Sequence, residues 1–180
     1  IVSTAGIQKV REFLKAVRLL AARTGQVLVV SNLTQDSGVK QPTLHEWIGI
    51  LERMQVLTLV EAYASSLSKR LVRTPKLYWN DVGLASRLQG WSEADPLLLS
   101  PQLGPLFETL VFNEIQKTAS NHGKNWQVSY VRNKEKNEID FFLEGANGTS
   151  LLLEAKWSSA DAVSWRMPTR LKAMFEGVPQ

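Results

Sequence analysis

The sequence predicts an α+β protein in two parts, and two different orders of elements support this prediction. In the first part, three segments with helical periodicity precede two strand-like runs. In the second part, one helical segment precedes three strand-like runs and a last helical segment. Three helices followed by a β-hairpin is the order of a winged helix-turn-helix. We therefore predict a winged helix-turn-helix domain at residues 1–95 and an α/β domain at residues 96–180, with the boundary near the linker 90–96.

The first part is expected to contain helices at about residues 7–22 and 31–36 and a third helix that starts at Pro42. Thr43-Leu-His-Glu46 has the form of a capping box at the start of that third helix. Strand-like runs follow at residues 56–63 and about 70–79, and the polar stretch 65–69 joins them. These runs would form the wing.

The second part is expected to begin with a helix from Pro105 to about Ser120. Strands at 126–132, 138–143 and 150–157 follow, with turns at 133–137 and 145–149. A last helix is expected within residues 163–175, where Pro168 would break or kink it. A closing strand would come after Gly177, so we expect a domain truncated at its C-terminus. Because the chain starts at Ile1, we interpret it as a fragment of a longer protein.

The composition excludes several classes of site. Hydrophobic residues make up 44% of the chain and charged residues 21%, as in soluble globular proteins. No apolar run approaches the roughly 18 residues that span a bilayer, so we expect no membrane partner. The absence of cysteine excludes disulfides, thiol catalysis and zinc–thiolate sites, and it suits a cytoplasmic location. Two histidines, His45 and His122, are too few for a histidine-rich metal site.

The positive charge is concentrated in the first part of the chain. The net charge is +4, and residues 1–100 hold 12 basic and 8 acidic residues, whereas residues 101–180 hold 9 of each. The predicted third helix exposes Glu46 and Glu52, which a helix in the major groove would disfavour. The predicted wing is the better phosphate contact, although a winged helix used only for protein contacts stays open. The wing residues that we expect to bind nucleic acid are Lys69, Arg70, Arg73 and Lys76.

Four charged residues stand at positions where core residues are expected. Glu108 lies in the middle of the apolar face of its helix, and a lone buried carboxylate is costly unless it is paired or bound to a cation. Asp140 lies in one apolar strand. Glu154 and Lys156 share one face of the next strand, because side chains alternate along a strand. Charges in these positions indicate a site.

The chemistry that these residues favour is metal-assisted phosphodiester hydrolysis. Asp140, Glu154 and the carbonyl of Ala155 could hold Mg²⁺ or Mn²⁺, hard cations that prefer oxygen ligands, and Glu108 could add a ligand through water. The metal ion would lower the pKa of a bound water and stabilise charge on the phosphoryl oxygens. Lys156 would orient that water or bind phosphate. Arg132 could contact phosphate or the acidic residues, and a packing role for it stays open.

Structural roles for the same residues also stay open. Glu108 could form a buried salt bridge with Lys156 or Arg132. Asp140 and Glu154 could lie on an exposed face of the sheet as solvated charges. The fold could also be kept without catalysis, because a fold does not fix a function.

The turn between the last two predicted strands decides whether Asp140 and Glu154 can share a metal ion. In an antiparallel hairpin, the residue numbers of two opposed residues always add up to the same value. A two-residue turn at Asn147-Gly148 would make this value 295, which is odd. Asp140 would then lie opposite Ala155, with Glu154 on the other face. We therefore predict a three- or five-residue loop around residues 145–149, or a bulge.

The order of these residues resembles the PD-(D/E)xK nuclease superfamily, with Glu108 on the helix, then Asp140, then Glu154-Ala155-Lys156. A narrower resemblance, over about residues 10–160, is to prokaryotic AAA-type ATPases with a C-terminal domain of unknown function and a nuclease-like core. The blocks that carry this resemblance are Lys69-Arg70, Thr74-Pro-Lys-Leu-Tyr78, Asp81-Val-Gly-Leu-Ala85, Gly104-Pro-Leu-Phe-Glu108, Asn113-Glu114, Tyr130-Val-Arg132 and Glu138-Ile-Asp140.

The resemblance implies a winged helix followed by a PD-(D/E)xK restriction-endonuclease-like core, and a P-loop ATPase domain upstream. This chain contains no G-x-x-x-x-G-K-[ST] motif, so ATP would act only through that missing domain. We expect the chain to be an accessory region of the ATPase that engages nucleic acid through a Mg²⁺-dependent nuclease-like site. The nucleic acid that we expect is DNA. The alternatives are a catalytically inactive DNA- or protein-binding module and an oligomerisation domain of the ATPase.

Overall fold

The structure of the protein is a computed structural model that describes residues 7–64, 74–133, 137–146 and 148–157, and Phe175. The helices are α1 Val10–Ala21, α2 Val30–Ser37, α3 Gln41–Arg53, α4 Val82–Leu88, α5 Ala94–Leu98 and α6 Leu103–Asn121. The strands are β1 Gln26–Val27, β2 Leu57–Val60, β3 Lys76–Trp79, β4 Gln127–Arg132, β5 Glu138–Glu144 and β6 Ser150–Leu153.

Helices and two small antiparallel sheets confirm the predicted α+β class. The first sheet has the order β1-β3-β2, and α1, α2 and α3 contribute to one apolar core with it. The antiparallel pairing of β2 with β3 agrees with the predicted hairpin, but β1 was not predicted. The predicted capping box at 43–46 is wrong, because α3 begins two residues earlier at Gln41 and has no side-chain cap.

The second sheet has the order β4-β5-β6, and its last turn has the predicted length. Glu144 pairs with Ser150 and Phe141 pairs with Leu153, so opposed residues have the even sum of 294. The intervening residues 145–149 form a five-residue loop, in which Gly148 has a φ of +74°. Asp140 and Glu154 are therefore in register on the same face, and the prediction of an odd loop is confirmed.

Strand β3 joins the two halves of the molecule because its side chains alternate between two cores. Leu77 and Trp79 pack into the core that contains α1, α2 and α3. Tyr78 packs into a second core, where its ring stacks on Phe112 of α6 at 4.5 Å and lies 5.7 Å from Phe141 of β5. Lys76 shares the face of Tyr78. The first strand residue of β3 is thus aimed at the second half of the chain.

Backbone contacts also connect the halves. The amide of Tyr130 in β4 donates to the carbonyl of Glu61 at 3.1 Å, and the amide of Tyr63 donates to the carbonyl of Tyr130 at 2.6 Å. The turn after α1 approaches α6 at Gly25, which has a φ of +70°. A Cβ there would lie 2.7 Å from the carbonyl oxygen of Pro105, so this approach requires glycine. Within the described residues, no helix combines the length and apolar character needed to cross a bilayer.

Candidate functional site

A cluster of charged side chains lies where β3, α6 and β5 meet. We call it the Lys76 cluster, and it consists of Lys76, Tyr78, Glu108, Glu138 and Asp140. Alternation along β3 aims Lys76 and Tyr78 toward α6, and alternation along β5 places Glu138 and Asp140 on one face. Glu108 lies on the side of α6 that packs against these strands.

The Lys76 ammonium is the centre of the cluster. Its Nζ lies 2.8 Å from Glu108 Oε1, 2.5 Å from Glu138 Oε1 and 3.5 Å from Asp140 Oδ1. The Lys76 side chain is only 3% exposed. The Nζ also lies 5.6 Å from the centroid of the Tyr130 ring, which adds a cation–π contact. One buried cation is therefore shared by three carboxylates from two elements.

The environment keeps Lys76 charged. Burial by itself lowers the pKa of a lysine, but Coulombic attraction and hydrogen bonds from Glu108 and Glu138 outweigh it, and the pKa of Lys76 is raised. Burial raises the pKa of Glu108, and the attraction of Lys76 opposes this without reversing it. Burial and the negative charge of Glu108 raise the pKa of Tyr78, so its hydroxyl stays protonated and donates to Glu108 Oε1 at 2.5 Å.

Asp140 also belongs to a second group, which we call the Glu154 group and which consists of Asp140, Glu154 and Lys156. The amide of Ala155 donates to Asp140 Oδ2 at 2.9 Å, and the amide of Asp140 lies 3.4 Å from Glu154 Oε2. Lys156 Nζ lies 2.6 Å from Glu154 Oε1. The side chains of Asp140 and Glu154 are 11% and 10% exposed, whereas that of Lys156 is 55% exposed. The structure thus brings Asp140, Glu154 and Lys156 together at the end of the last hairpin.

Several of the carboxylate oxygens that the predicted metal ion would use already have partners in the structure. Asp140 Oδ1 faces Lys76, its Oδ2 accepts from Ala155, and Glu108 Oε1 accepts from both Lys76 and Tyr78. Among the residues that the structure describes, no group of three or more acidic or histidine side chains has an arrangement that could hold a metal ion. The predicted role of Glu108, Asp140 and Glu154 as ligands of Mg²⁺ therefore stays a prediction.

The structure assigns partners to the acidic residues that differ from the expected ones. Glu108 pairs with Lys76 and Tyr78, and not with Lys156 or Arg132, the two partners proposed from sequence. Arg132 is 34% exposed, and its Nε lies 3.5 Å from Glu138 Oε2. Glu138 was not among the site residues predicted from sequence, and it contacts Lys76. A signal was present, because Glu138 and Asp140 alternate onto the same strand face.

The predicted nucleic-acid contacts have two different outcomes. Lys69, Arg70 and Arg73 lie outside the described residues. Lys76 needs a correction, because its ammonium is buried against carboxylates and is not presented to a phosphate. The sequence offered one hint of this, since Lys76 opens a run in which Leu77, Tyr78 and Trp79 are all large and apolar or aromatic. All four residues of that run are buried.

Comparisons with known proteins match each half of the chain. Residues 103–174 match a domain of unknown function, DUF4143, which is often found with AAA ATPases. This supports an AAA-associated C-terminal domain of unknown function. The chain is 26% identical over 157 residues to the uncharacterized proteins Rv2008c of Mycobacterium tuberculosis and Mb2031c of Mycobacterium bovis. The alignment covers 87% of this chain and 34% of each relative, so the chain spans about a third of their length.

No solved structure matches the chain. The remaining match covers residues 1–95, which is more than half of the sequence and includes the first sheet with α1 to α4. The chain belongs to the family described as domain of unknown function DUF8612.

Proposed function

We propose that the chain is an accessory module of an AAA-type ATPase, in which a winged helix and a PD-(D/E)xK nuclease-like core engage a nucleic-acid backbone without hydrolysing it. The observation that carries this proposal is the Lys76 cluster. The acidic residues of a nuclease-like site are present and adjacent, but a buried ammonium lies at the oxygens that a catalytic metal ion would need.

The order of elements in the first half supports a winged helix. The chain runs α1-β1-α2-α3-β2-β3, and the strands pair in the order β1-β3-β2. This gives three helices and a small antiparallel sheet whose last two strands are consecutive. The segment that connects β2 to β3 contains Lys69, Arg70 and Arg73, which are the cations that we propose for phosphate contacts.

The second half supports a nuclease-like core. Helix α6 precedes three antiparallel strands, Glu108 lies on that helix, and the five-residue loop places Asp140 beside Glu154. The charges of the site are nearly balanced, because the four carboxylates of Glu108, Glu138, Asp140 and Glu154 lie among the cations Lys76, Arg132 and Lys156. A site of this kind attracts phosphate weakly. The main nucleic-acid contact is therefore assigned to the segment between β2 and β3.

The test is fluorescence anisotropy with duplex and single-stranded DNA over a range of salt concentrations. Changing Lys69, Arg70 and Arg73 together to glutamine should weaken binding and reduce the slope of log K against log salt by about 2–3. The matched control changes three cations elsewhere, Arg87, Lys117 and Lys124, and should retain the wild-type slope. Equal losses in both variants would contradict a specific interface. No binding at low salt would favour a module that contacts protein instead.

A second candidate function is Mg²⁺-dependent phosphodiester hydrolysis. The observation that favours it is the approach of Glu154 to Asp140 with Lys156 at 2.6 Å from Glu154. Plasmid and single-strand cleavage assays with Mg²⁺ and Mn²⁺ distinguish the two functions. Metal-dependent cleavage that disappears in Asp140→Asn and Glu154→Gln would establish this second candidate and overturn the first.

A further inference from the structure

We infer that the Lys76 ammonium is the resident cation of the nuclease-like site and that it satisfies the acidic residues in place of a divalent metal ion. This inference rests on the nuclease-like core of the proposed function and not on nucleic-acid binding. It assigns Lys76, which belongs to the first half of the chain, to a site whose acidic residues all belong to the second half.

The first argument is the match between donors and acceptors. An ammonium group has three N–H donors and no acceptor. Three carboxylate oxygens, from Glu108, Glu138 and Asp140, lie within 2.8, 2.5 and 3.5 Å of the Nζ. The oxygens come from α6 and β5, so the cation bridges two elements as a metal ion would.

The second argument is exclusion. The Lys76 side chain is 3% exposed, and its Nζ also lies 5.6 Å from the centroid of the Tyr130 ring. A divalent cation at the same oxygens would lie within a few ångströms of the ammonium and be repelled by it. The oxygen of Asp140 that does not face Lys76 is occupied by the amide of Ala155 at 2.9 Å. A metal ion can therefore use this carboxylate set only after Lys76 has left it.

The third argument is the contrast with Lys156. The Lys156 side chain is 55% exposed and its ammonium contacts Glu154 alone among the described acidic residues. If any nearby cation could take the place of a metal ion, removing Lys156 would have the same consequence as removing Lys76. The geometry predicts that only Lys76 has this role.

The experiment is calorimetric titration of Mn²⁺ into the full 180-residue chain. The wild type and Lys156→Met should show no Mn²⁺ binding that depends on Asp140. Lys76→Met keeps most of the length of the side chain but removes the charge, and it should bind Mn²⁺ with an affinity at least about tenfold above the detection limit at which the wild type shows no binding. A second change, Asp140→Asn, should abolish that gain. Mn²⁺ should also raise the melting temperature of Lys76→Met and leave that of Lys156→Met unchanged.

Two results would overturn the inference. One is a folded Lys76→Met protein that gains no Mn²⁺ binding. The other needs no Lys76 variant and stays decisive if Lys76→Met fails to fold, namely Mn²⁺ or Mg²⁺ binding by the wild type that Asp140→Asn abolishes. The titrations contain no nucleic acid, so failure of DNA binding would remove the proposed function and leave the result for Lys76 unaffected.

Discussion

Lys76 and Lys156 are two lysines of the same site in opposite environments, and the difference shows what a charge contributes when it is buried. Lys76 is 3% exposed and is shared by three carboxylates, whereas Lys156 is 55% exposed and pairs with Glu154. Hydrogen bonding and attraction from Glu154 raise the pKa of Lys156, but solvent screens such a pair. The same residue type is therefore a buried partner of three carboxylates at position 76, and a solvent-screened partner of one carboxylate at position 156.

The largest expected effect is the loss of stability in Lys76→Met. Removing one partner of a buried ion pair typically destabilises a protein by about 3–5 kcal/mol, because it leaves uncompensated buried charge. Lys156→Met should change the stability by less than about 1 kcal/mol, as other exposed pairs do. Urea unfolding at pH 7 without divalent metal ions measures both free energies. Equal losses in the two variants would show that Lys76 is not the electrostatic centre of the site.

A smaller effect on stability distinguishes the contribution of the Glu108 hydrogen bonds from that of the Glu108 charge. Burial raises the pKa of Glu108, so its ionised form is less favoured in the folded protein than in the unfolded chain. Glu108→Gln can still accept from Tyr78 through its carbonyl. We expect Glu108→Gln to change the free energy of unfolding by less than about 1 kcal/mol. Glu108→Ala removes the acceptor of the buried Tyr78 hydroxyl and should lower the free energy of unfolding by about 1–3 kcal/mol. Glu114→Ala is the control, since Glu114 lies on the same helix with a 61% exposed side chain. A larger loss in Glu108→Gln than in Glu108→Ala would contradict this assignment.

The elements of the fold could be predicted from sequence where local patterns decide them. Helical periodicity located α1, α3 and α6, and the parity of the last hairpin predicted the five-residue loop. Strand β1 could not be predicted because it has only two residues, Gln26 and Val27, and exists through its pairing with β3. Two residues are too few to display an alternating pattern.

The acidic residues of the site could be predicted, but their cation could not. Glu108, Asp140 and Glu154 stood out as charges in apolar surroundings, which is a local signal. Lys76 is 32 residues from Glu108 and 64 from Asp140 in sequence, so no local pattern pairs them. The basic stretch around Lys76 favoured a surface role. Strand β3 is buried on both faces, and tertiary packing overrode that expectation.

The smallest expected effect is a change in how steeply the free energy of unfolding depends on pH in alkaline solution. The sign of this dependence follows from the raised pKa values of Lys76 and Tyr78. Each group holds its proton more tightly in the folded protein than in the unfolded chain. Its contribution is therefore fully present below the unfolded pKa, near 10 for both residue types, and is lost as the pH rises above about 10 toward the folded pKa. One such group changes the free energy of unfolding by up to about 1.4 kcal/mol per pH unit.

In urea unfolding from pH 8 to pH 11, the free energy of unfolding should fall less steeply with pH in Lys76→Met than in the wild type. The reason is that only Tyr78 of the two groups with raised pKa values remains in this variant. Lys156→Met should follow the wild-type slope closely, since most of its interaction is screened by solvent. An unchanged slope in Lys76→Met would mean that the Lys76 ammonium gains no affinity for its proton on folding. The three carboxylates around it would then not act together on that charge, and the contrast between the two lysines would be one of exposure alone.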